Sequence, residues 1–376
     1  MAGVHAPAPQ SPLVLTQFTA RGFRNLQQLH LEPAPGSHLL LGGNGAGKTS
    51  VLEAIYVLAT TRSFRAAQIL DCVTHGAAEL ALAGEVETDR RSSLAVGVVG
   101  EVRQRSVNGK PTSLAEHLAV LPVVAWSAAE MGVLVGPPAA RRRFMDRGVV
   151  ATRPPALEVL GRYREALRQK RELLCQGAAG IEIWNELLAA TAAEVIRLRA
   201  LYVDALRGEL AAVLAEGGFA AAGLHLPEIG LRYQPSPPQG LEGAAAIAAA
   251  LEQAADRELR RQQPLVGPQR DELEILWGGH ELRRVASAGE RKALSLLMLA
   301  AHGRVVEGAG RRPVYLLDDA DAELAPAAVA AVWAVYAQRV EATAGQLFAS
   351  SNRPQVWLTL DVGSLWEMER GAMARL

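Results

Sequence analysis

The sequence predicts an α/β fold: a head of mixed sheet and helices built from both ends of the chain, with a mainly helical lobe inserted between them. Three observations carry this expectation. Strand-like runs punctuated by Pro and Gly fill the chain up to about residue 126. From about Pro137 to Arg261 the texture changes to long helical patterns. Strand texture then returns at Asp271 to Trp277, and an apolar run at Val314 to Leu317 ends in two carboxylates. The expected division is a loose tail over 1–12, the first half of the head over 13–126, the inserted lobe over 127–264 and the second half of the head over 265–376.

Leu13 to Phe18 alternates well enough for a strand, and Leu26 to Leu31 supplies a second. Pro33, Pro35 and Gly36 break the chain before the short apolar strand His38 to Leu41. Thr49 to Thr60 reads as a helix, so Gly42 to Lys48 sits between a strand and a helix. Leu94 to Val99 is strand-like, Asn108-Gly109 is a hairpin turn signal, and Val120 to Trp126 is a buried strand candidate. Helical patterns cover Ala139 to Val149, Ala156 to Cys175, Glu182 to Leu214 and Ala244 to Arg261, interrupted by the Pro- and Gly-rich loop Pro235 to Gly240. A further helix is expected from Gly289 to His302.

Composition narrows the class without naming a partner. Hydrophobic residues make up 49% and charged residues 21% of 376, which fits a folded chain rather than a disordered one. The 39 basic and 39 acidic residues cancel, so a nucleic-acid partner would need a local basic surface. Cys72 and Cys175 lie far apart without metal-ligand spacing, which suits a reducing compartment and a cytoplasmic location. No apolar run approaches the roughly 20 residues of a membrane helix, and the first dozen residues lack the charged start and apolar core of a signal peptide.

Gly42-Gly43-Asn44-Gly45-Ala46-Gly47-Lys48-Thr49, followed by Ser50, fits the pattern G-x-x-x-x-G-K-S/T completely. The glycines allow a tight wrap in which successive N–H groups point at phosphates, and the following helix adds its positive end. Lys48 is placed to neutralise the β- and γ-phosphates, and Thr49 to ligate Mg2+. The pattern announces a nucleotide site without deciding which class of NTPase it serves. At the other end, Asp318 and Asp319 close the apolar run, and a buried parallel strand delivers such residues to the ligand edge of a sheet. Asp318 is the expected metal partner, directly or through water, and Asp319 the expected base that orients the attacking water.

A third element bears on the class. Ser287-Ala288-Gly289-Glu290-Arg291-Lys292 precedes an apolar helix. By itself it reads better as a plain N-cap, because Ser and Gly are common there. Upstream of an acidic strand end, it resembles the Ser-x-Gly segment of ABC-type ATPases, in which Ser287 and Gly289 would bind the γ-phosphate held by the opposite subunit. That arrangement implies an ATP-dependent homodimer with two sandwiched nucleotides.

Over nearly its whole length the sequence then resembles the RecF family. The resemblance runs through Gly22-Phe23-Arg24-Asn25-Leu26, Leu52-Glu53-Ala54-Ile55-Tyr56 and Arg62-Ser63-Phe64-Arg65. It continues through Gly136-Pro137-Pro138 with Arg141-Arg142-Arg143-Phe144-Met145-Asp146, Tyr163 to Leu174, Gly267-Pro268-Gln269-Arg270-Asp271-Glu272-Leu273, and Leu316-Leu317-Asp318-Asp319 with Glu323-Leu324. It implies a weak ATPase with ATP and Mg2+ as cofactors, binding single-stranded and gapped or duplex DNA, and acting with RecO and RecR to load RecA in replication-linked repair and the SOS response. Four departures stand out: Gln269 where the family usually has His, Ala325 where an Asp is expected, and Ala288 and Glu290 in place of Gln. The Asp-Asp pair agrees with the family, and its short second carboxylate predicts slow turnover.

Candidate DNA contacts are Arg141, Arg142 and Arg143 at the start of the lobe, and Arg168 and Lys170 on its next helix, since phosphate neutralisation needs clustered positive charge. The other reading is a solvated helix face partnered by Glu158, Glu165 and Glu172. Two further readings remain open: a transporter's nucleotide-binding subunit, disfavoured by the size of the insertion, and an ATP- or DNA-binding scaffold without hydrolysis, kept open by Ala325.

Overall fold

A computed structural model of the chain describes residues 12–177, 180–237 and 243–376. The expected tail over 1–12 thus lies outside the described residues except for residue 12, as does the end of the Pro/Gly loop at 238–240. The first stretch holds β1 (Val14–Phe23), β2 (Leu26–Leu31), β3 (Gly36–Leu41), α1 (Lys48–Thr60), β4 (Glu79–Glu87), β5 (Arg91–Val99), β6 (Val102–Val107), β7 (Lys110–Pro111), α2 (Leu114–Val120) and β8 (Val123–Trp126). Helices α3 (Met131–Val135), α4 (Pro138–Thr152), α5 (Ala156–Gln176) and α6 (Ile181–Glu216) follow, then β9 (Ile229–Gln234), α7 (Ala244–Arg261), β10 (Glu272–Trp277), β11 (His280–Glu281) and α8 (Leu282–Val285). The chain ends with α9 (Ala288–Gly308), β12 (Val314–Leu317), α10 (Pro326–Thr343), β13 (Gln346–Ser351), α11 (Pro354–Trp357), β14 (Ser364–Glu369) and β15 (Ala372–Arg375).

Two compact units emerge, one from residues up to 131 with 209–226 and 287–376, the other from 132–208 with 227–286. The second unit is drawn at different residues from the texture-based lobe of 127–264. Residues 265–286 join it because β10 pairs antiparallel with β9 and β11 in a three-stranded sheet of its own. The final turns of α6 count with the first unit, where Glu216 accepts from Arg304 at 2.8 Å.

The first unit contains two six-stranded sheets, ordered β2-β1-β4-β5-β6-β7 and β15-β14-β3-β13-β12-β8. The former is antiparallel and alternates: Leu80, Leu82 and Val86 of β4 and Leu94, Val96 and Val98 of β5 are buried between exposed or half-buried neighbours. In the latter, β14, β3, β13, β12 and β8 run parallel. All four residues of β12 and all six of β13 are buried, as expected of parallel strands covered on both faces. Helix α1 packs against strands of both sheets and is apolar nearly all round, with Val51, Leu52, Ile55, Val57 and Leu58 fully buried. Each such side chain stabilises the head by about 1.5–3 kcal/mol. Val120, expected to open a strand, instead closes α2, whose start is fixed by a capping box between Ser113 and Glu116.

Two buried polar side chains stitch this core. The carboxamide of Gln346 accepts from the Leu15 N–H at 2.7 Å and donates to the Leu15 and Ala34 carbonyls at 3.1 and 2.9 Å, beside the bulge in β1. His38 stacks on Phe348, its Nε2 lies 2.8 Å from the Ala34 carbonyl, and its Nδ1 lies 3.2 Å from the Trp366 indole N–H. Those partners require a neutral ring that donates from Nε2 and accepts at Nδ1, in keeping with the downward pull of burial on its pKa.

Candidate nucleotide site and the basic segments

The phosphate loop leaves β3 at Gly42 and enters α1 at Lys48. Two glycines are required outright. Gly42 has φ 152°, and an added Cβ would lie 2.4 Å from the Met368 carbonyl oxygen. Gly47, at φ 115°, lies against Asn25 Nδ2 and Gly371 Cα, which would stand 3.2 and 3.3 Å from a Cβ. The loop is braced from the β1–β2 turn. Asn25 donates to the Gly45 carbonyl at 3.0 Å and accepts from Ser50 Oγ at 2.7 Å, tying the middle of the loop to the first turn of α1. Behind it, Arg24 makes a two-pronged pair with the fully buried Glu53 at 2.9 and 2.7 Å.

Lys48 is buried, and its Nζ donates to the carbonyls of Gly42 and Gly43 at 2.8 and 3.0 Å. The Thr49 hydroxyl donates to Asp318 Oδ1 at 2.8 Å, although 269 residues separate the two. The Ser350 hydroxyl, at the end of β13, donates to the same oxygen at 2.8 Å and accepts from the Asp319 N–H at 2.9 Å. Sheet order explains the meeting: β3, β13 and β12 are parallel neighbours, so the loop, Ser350 and the aspartates leave the sheet at one edge. A hydroxyl and a carboxylate in contact suit a hard cation that takes its remaining ligands from phosphate and water. Among the described residues no cluster of three or more His, Cys, Asp or Glu could hold a metal ion by itself.

Asp319 is half-buried and sits at φ 47°, a left-handed conformation that is uncommon for a non-glycine residue. Burial and the neighbouring Asp318 raise its pKa, while Lys48 opposes them. Ser287 caps α9 in a capping box with Glu290, the N–H of Glu290 donating to Ser287 Oγ at 3.3 Å. Ser287 is exposed, its hydroxyl donates to the Glu290 carboxylate at 2.6 Å, and the nearest atom to a Cβ added at Gly289 is the Glu323 carbonyl oxygen at 3.7 Å. The geometry present is that of the N-cap, in which Glu290 accepts from both the N–H and the hydroxyl of Ser287. Glu290, one of the departures, supplies the reciprocal half of the box. Ala325, another, is the N-cap of α10 and makes no side-chain cap bond, so an exposed Asp would have had a capping role there.

The basic segments are placed differently from the expectation that they face DNA. Lys170 is fully buried and pairs with Glu258 at 2.6 Å. Arg141 is buried, pairing with Glu272 and donating to the Gly136 carbonyl at 2.9 Å. Arg142 is half-buried and donates to the Asp271 carbonyl at 3.0 Å. Arg168 is exposed, yet it is held between Glu165 and Glu172, both at 2.6 Å. Arg143 is exposed, and among the described residues no carboxylate clamps it. As candidate phosphate contacts, Lys170 and Arg141 are corrected by their burial: the charges they carry are spent on carboxylates inside the second unit. The Gly267 to Leu273 segment explains why. Asp271 is fully buried, accepts from Arg199 at 2.8 Å and from the Ser236 N–H at 2.8 Å, and bonds Tyr233; Arg199 also binds Asp146 at 2.8 Å. The arginine run and this segment are two halves of one internal network. Gln269 fits within it, bonding the Tyr163 hydroxyl and donating to the Val266 carbonyl at 2.9 Å.

Asn25 and Ser350 were not among the residues expected to shape the site. Ser350 follows no spacing rule, and Asn25 is signalled only by its place in the segment Gly22 to Leu26.

The family model for the RecF/RecN/SMC N-terminal domain matches residues 14–369. A "DNA replication and repair protein RecF" from Myxococcus xanthus is 34% identical over 81% of this chain and 82% of its own length. Its counterpart from Geotalea daltonii is 32% identical over 82% of this chain and 86% of its own length. A solved structure of the recombination mediator protein RecF with ATP superposes with a TM-score of 0.85, at 23% identity, over 99% of this chain and 100% of the other. An Smc head bound to the C-terminal winged-helix domain of ScpA follows at a TM-score of 0.55 and 16% identity, over 96% of each chain. With an α/β ATPase head whose phosphate loop meets its acidic strand end, and with relatives of this closeness over four-fifths of its length, the chain belongs to the RecF family.

Proposed function

We propose that this protein is an ATP-dependent DNA-binding switch of recombinational repair. ATP binds at Gly42 to Ser50, and two copies close on two nucleotides, each completing the other's site with Ser287 and Gly289. Hydrolysis releases the pair. The single observation that carries this reading is the 2.8 Å contact between Thr49 and Asp318, which joins two motifs from opposite ends of the sequence into one site. Lys48 neutralises the phosphates, and Asp319 orients the water that attacks the γ-phosphorus while ADP leaves. Thr49 and Asp318 are the residues that would hold Mg2+, which would supply charge neutralisation at the phosphates. The short carboxylate of Asp319 reaches the water poorly, so turnover is slow and suits a switch.

The closed dimer binds single-stranded, gapped or duplex DNA and, with RecO and RecR, helps to load RecA during replication-linked repair and the SOS response. The names of the relatives and the RecFOR context of the ATP-bound neighbour support that role. A cytoplasmic location accords with it, and no described helix is long and apolar enough to cross a membrane. The alternative of an ATP-binding scaffold draws on Ala325, whose methyl cannot cap α10 or reach across to a partner. Comparing turnover of the wild type with Asp319→Asn separates the two. Slow hydrolysis that falls at least about 10-fold in the variant supports the switch. Equal residual rates in both would assign the protein to the scaffold class.

A further inference from the structure

Lys292 is an anomaly for a soluble fold. It is the fifth residue of α9, five residues after Ser287, and is only 5% exposed. Buried lysines are normally paired with a carboxylate, because an unpaired ammonium is expensive to desolvate. Among the described residues, however, no ion pair within 4 Å involves Lys292. Its Nζ instead donates to the backbone carbonyl of Asp319 at 2.9 Å and lies 4.7 Å from the ring centroid of Trp126. Trp126 ends β8 and donates its indole N–H to Ser295 Oγ at 3.0 Å, one turn further along α9. Burial lowers the pKa of Lys292, and the surrounding carboxylates of Glu323, Asp321, Asp319 and Asp318 hold it up.

The consequence concerns Asp319. Its peptide is gripped on both sides, the N–H by Ser350 and the carbonyl by Lys292 at 2.9 Å together with the Ala322 N–H at 3.2 Å, and of these Lys292 is the one donor that comes from α9. Its φ of 47° is a conformation an aspartate leaves readily unless its surroundings impose it. One of those surroundings is a side chain of the helix that begins with Ser287 and Gly289. The Lys292 ammonium, which an aromatic face keeps from swinging away, thereby ties the N-terminal part of α9 to the Asp319 peptide.

We infer that Lys292 is a positioning residue that couples the anion-facing start of α9 to the orientation of Asp319, so that engagement of Ser287 and Gly289 by a second copy's nucleotide sets the catalytic carboxylate of this chain. The inference rests on the ATP-switch reading above and adds to it a route between the two sites. It also accounts for a buried charge that stability alone does not favour: an apolar side chain of similar length would fill the space at lower desolvation cost.

The test compares wild type, Lys292→Met and Lys292→Arg in three readouts: Mg-ATP affinity, steady-state turnover and melting temperature. Methionine keeps the length and removes the donor; arginine keeps a donor and can still lie on the Trp126 face. The expected result is a Met variant that binds Mg-ATP within about threefold of wild type, melts at or above the wild-type temperature, and turns over at least about 10-fold more slowly. The Arg variant recovers a substantial part of that loss. Wild-type turnover in Lys292→Met overturns the proposal, as does parallel loss of affinity, turnover and melting temperature in both variants, which marks a merely structural lysine. Should Lys292→Met not fold, Trp126→Leu removes the aromatic face while leaving the ammonium, and unchanged turnover there overturns the proposal equally. Absence of any Lys48-dependent hydrolysis in the wild type defeats the switch reading itself, and the coupling with it, and is told apart by the wild-type measurement alone.

Discussion

The two units of this chain handle charge in opposite ways. Around the phosphate loop, residues from opposite ends of the sequence converge and leave reactive groups at a sheet edge: Lys48, Thr49, Asp318 and Asp319. In the second unit, positive charges that cluster in the sequence are dispersed in space and consumed by internal carboxylates, Arg141 by Glu272, Arg199 by Asp146 and Asp271, and Lys170 by Glu258. A spacing rule carries geometry, because it specifies backbone shape and element junctions. A run of arginines carries only composition, and its meaning depends on where the carboxylates fall. Within the charge cluster Arg141 and Lys170 are thus architecture, while Arg143 stays at the surface.

The sharpest way to break that comparison is at Lys170. Breaking a buried pair by Lys170→Ala is expected to cost about 3–5 kcal/mol, read as a fall in the denaturation midpoint, because Glu258 is left charged and buried. The paired replacement Lys170→Met with Glu258→Leu is expected to recover most of that loss. Neither change should alter the salt dependence of DNA affinity; a slope reduced by about one unit would return Lys170 to the DNA surface and contradict its internal role.

On the other side of the comparison, Thr49→Val removes the hydroxyl from the Asp318 contact. Turnover with Mg2+ is expected to fall about 100-fold, some 2.7 kcal/mol, while Mg-free nucleotide binding measured by calorimetry stays close to wild type. Equal loss with and without Mg2+ would recast Thr49 as a structural cap. A smaller effect belongs to Ala325. Ala325→Asp supplies the missing cap of α10 and is expected to add about 1 kcal/mol of stability in denaturant titration; no gain in stability would show that the N-terminus of α10 needs no side-chain cap. Least of all is expected from Arg168→Ala. Its partners Glu165 and Glu172 are solvated, so the melting temperature should not move.

Much of this was legible in the sequence, for reasons that differ by element. The helices announced themselves by periodicity and caps, and β12 by four apolar residues ahead of two carboxylates, all local signals. The phosphate loop was readable because its glycines are needed by the backbone rather than by distant partners. What stayed hidden depends on contacts across the sequence. Glu272 lies 131 residues from Arg141, and no local pattern reveals their pairing. Ser350 and Asn25 are small polar residues whose roles exist only once β13 and the β1–β2 turn are laid beside the loop. The placement of 265–286 in the second unit turned on strand pairing between β9 and β10, which strand texture alone does not specify.

The central claim is that the Thr49–Asp318 junction is an ATP site that drives two copies together on DNA. It is tested most directly by measuring molecular mass in solution and affinity for gapped DNA, for wild type and Lys48→Met, with and without ATP and Mg2+. The account predicts a doubling of mass and tighter DNA binding in the wild type with Mg-ATP, and neither in Lys48→Met. A wild type that stays monomeric and indifferent to DNA when saturated with Mg-ATP would contradict it.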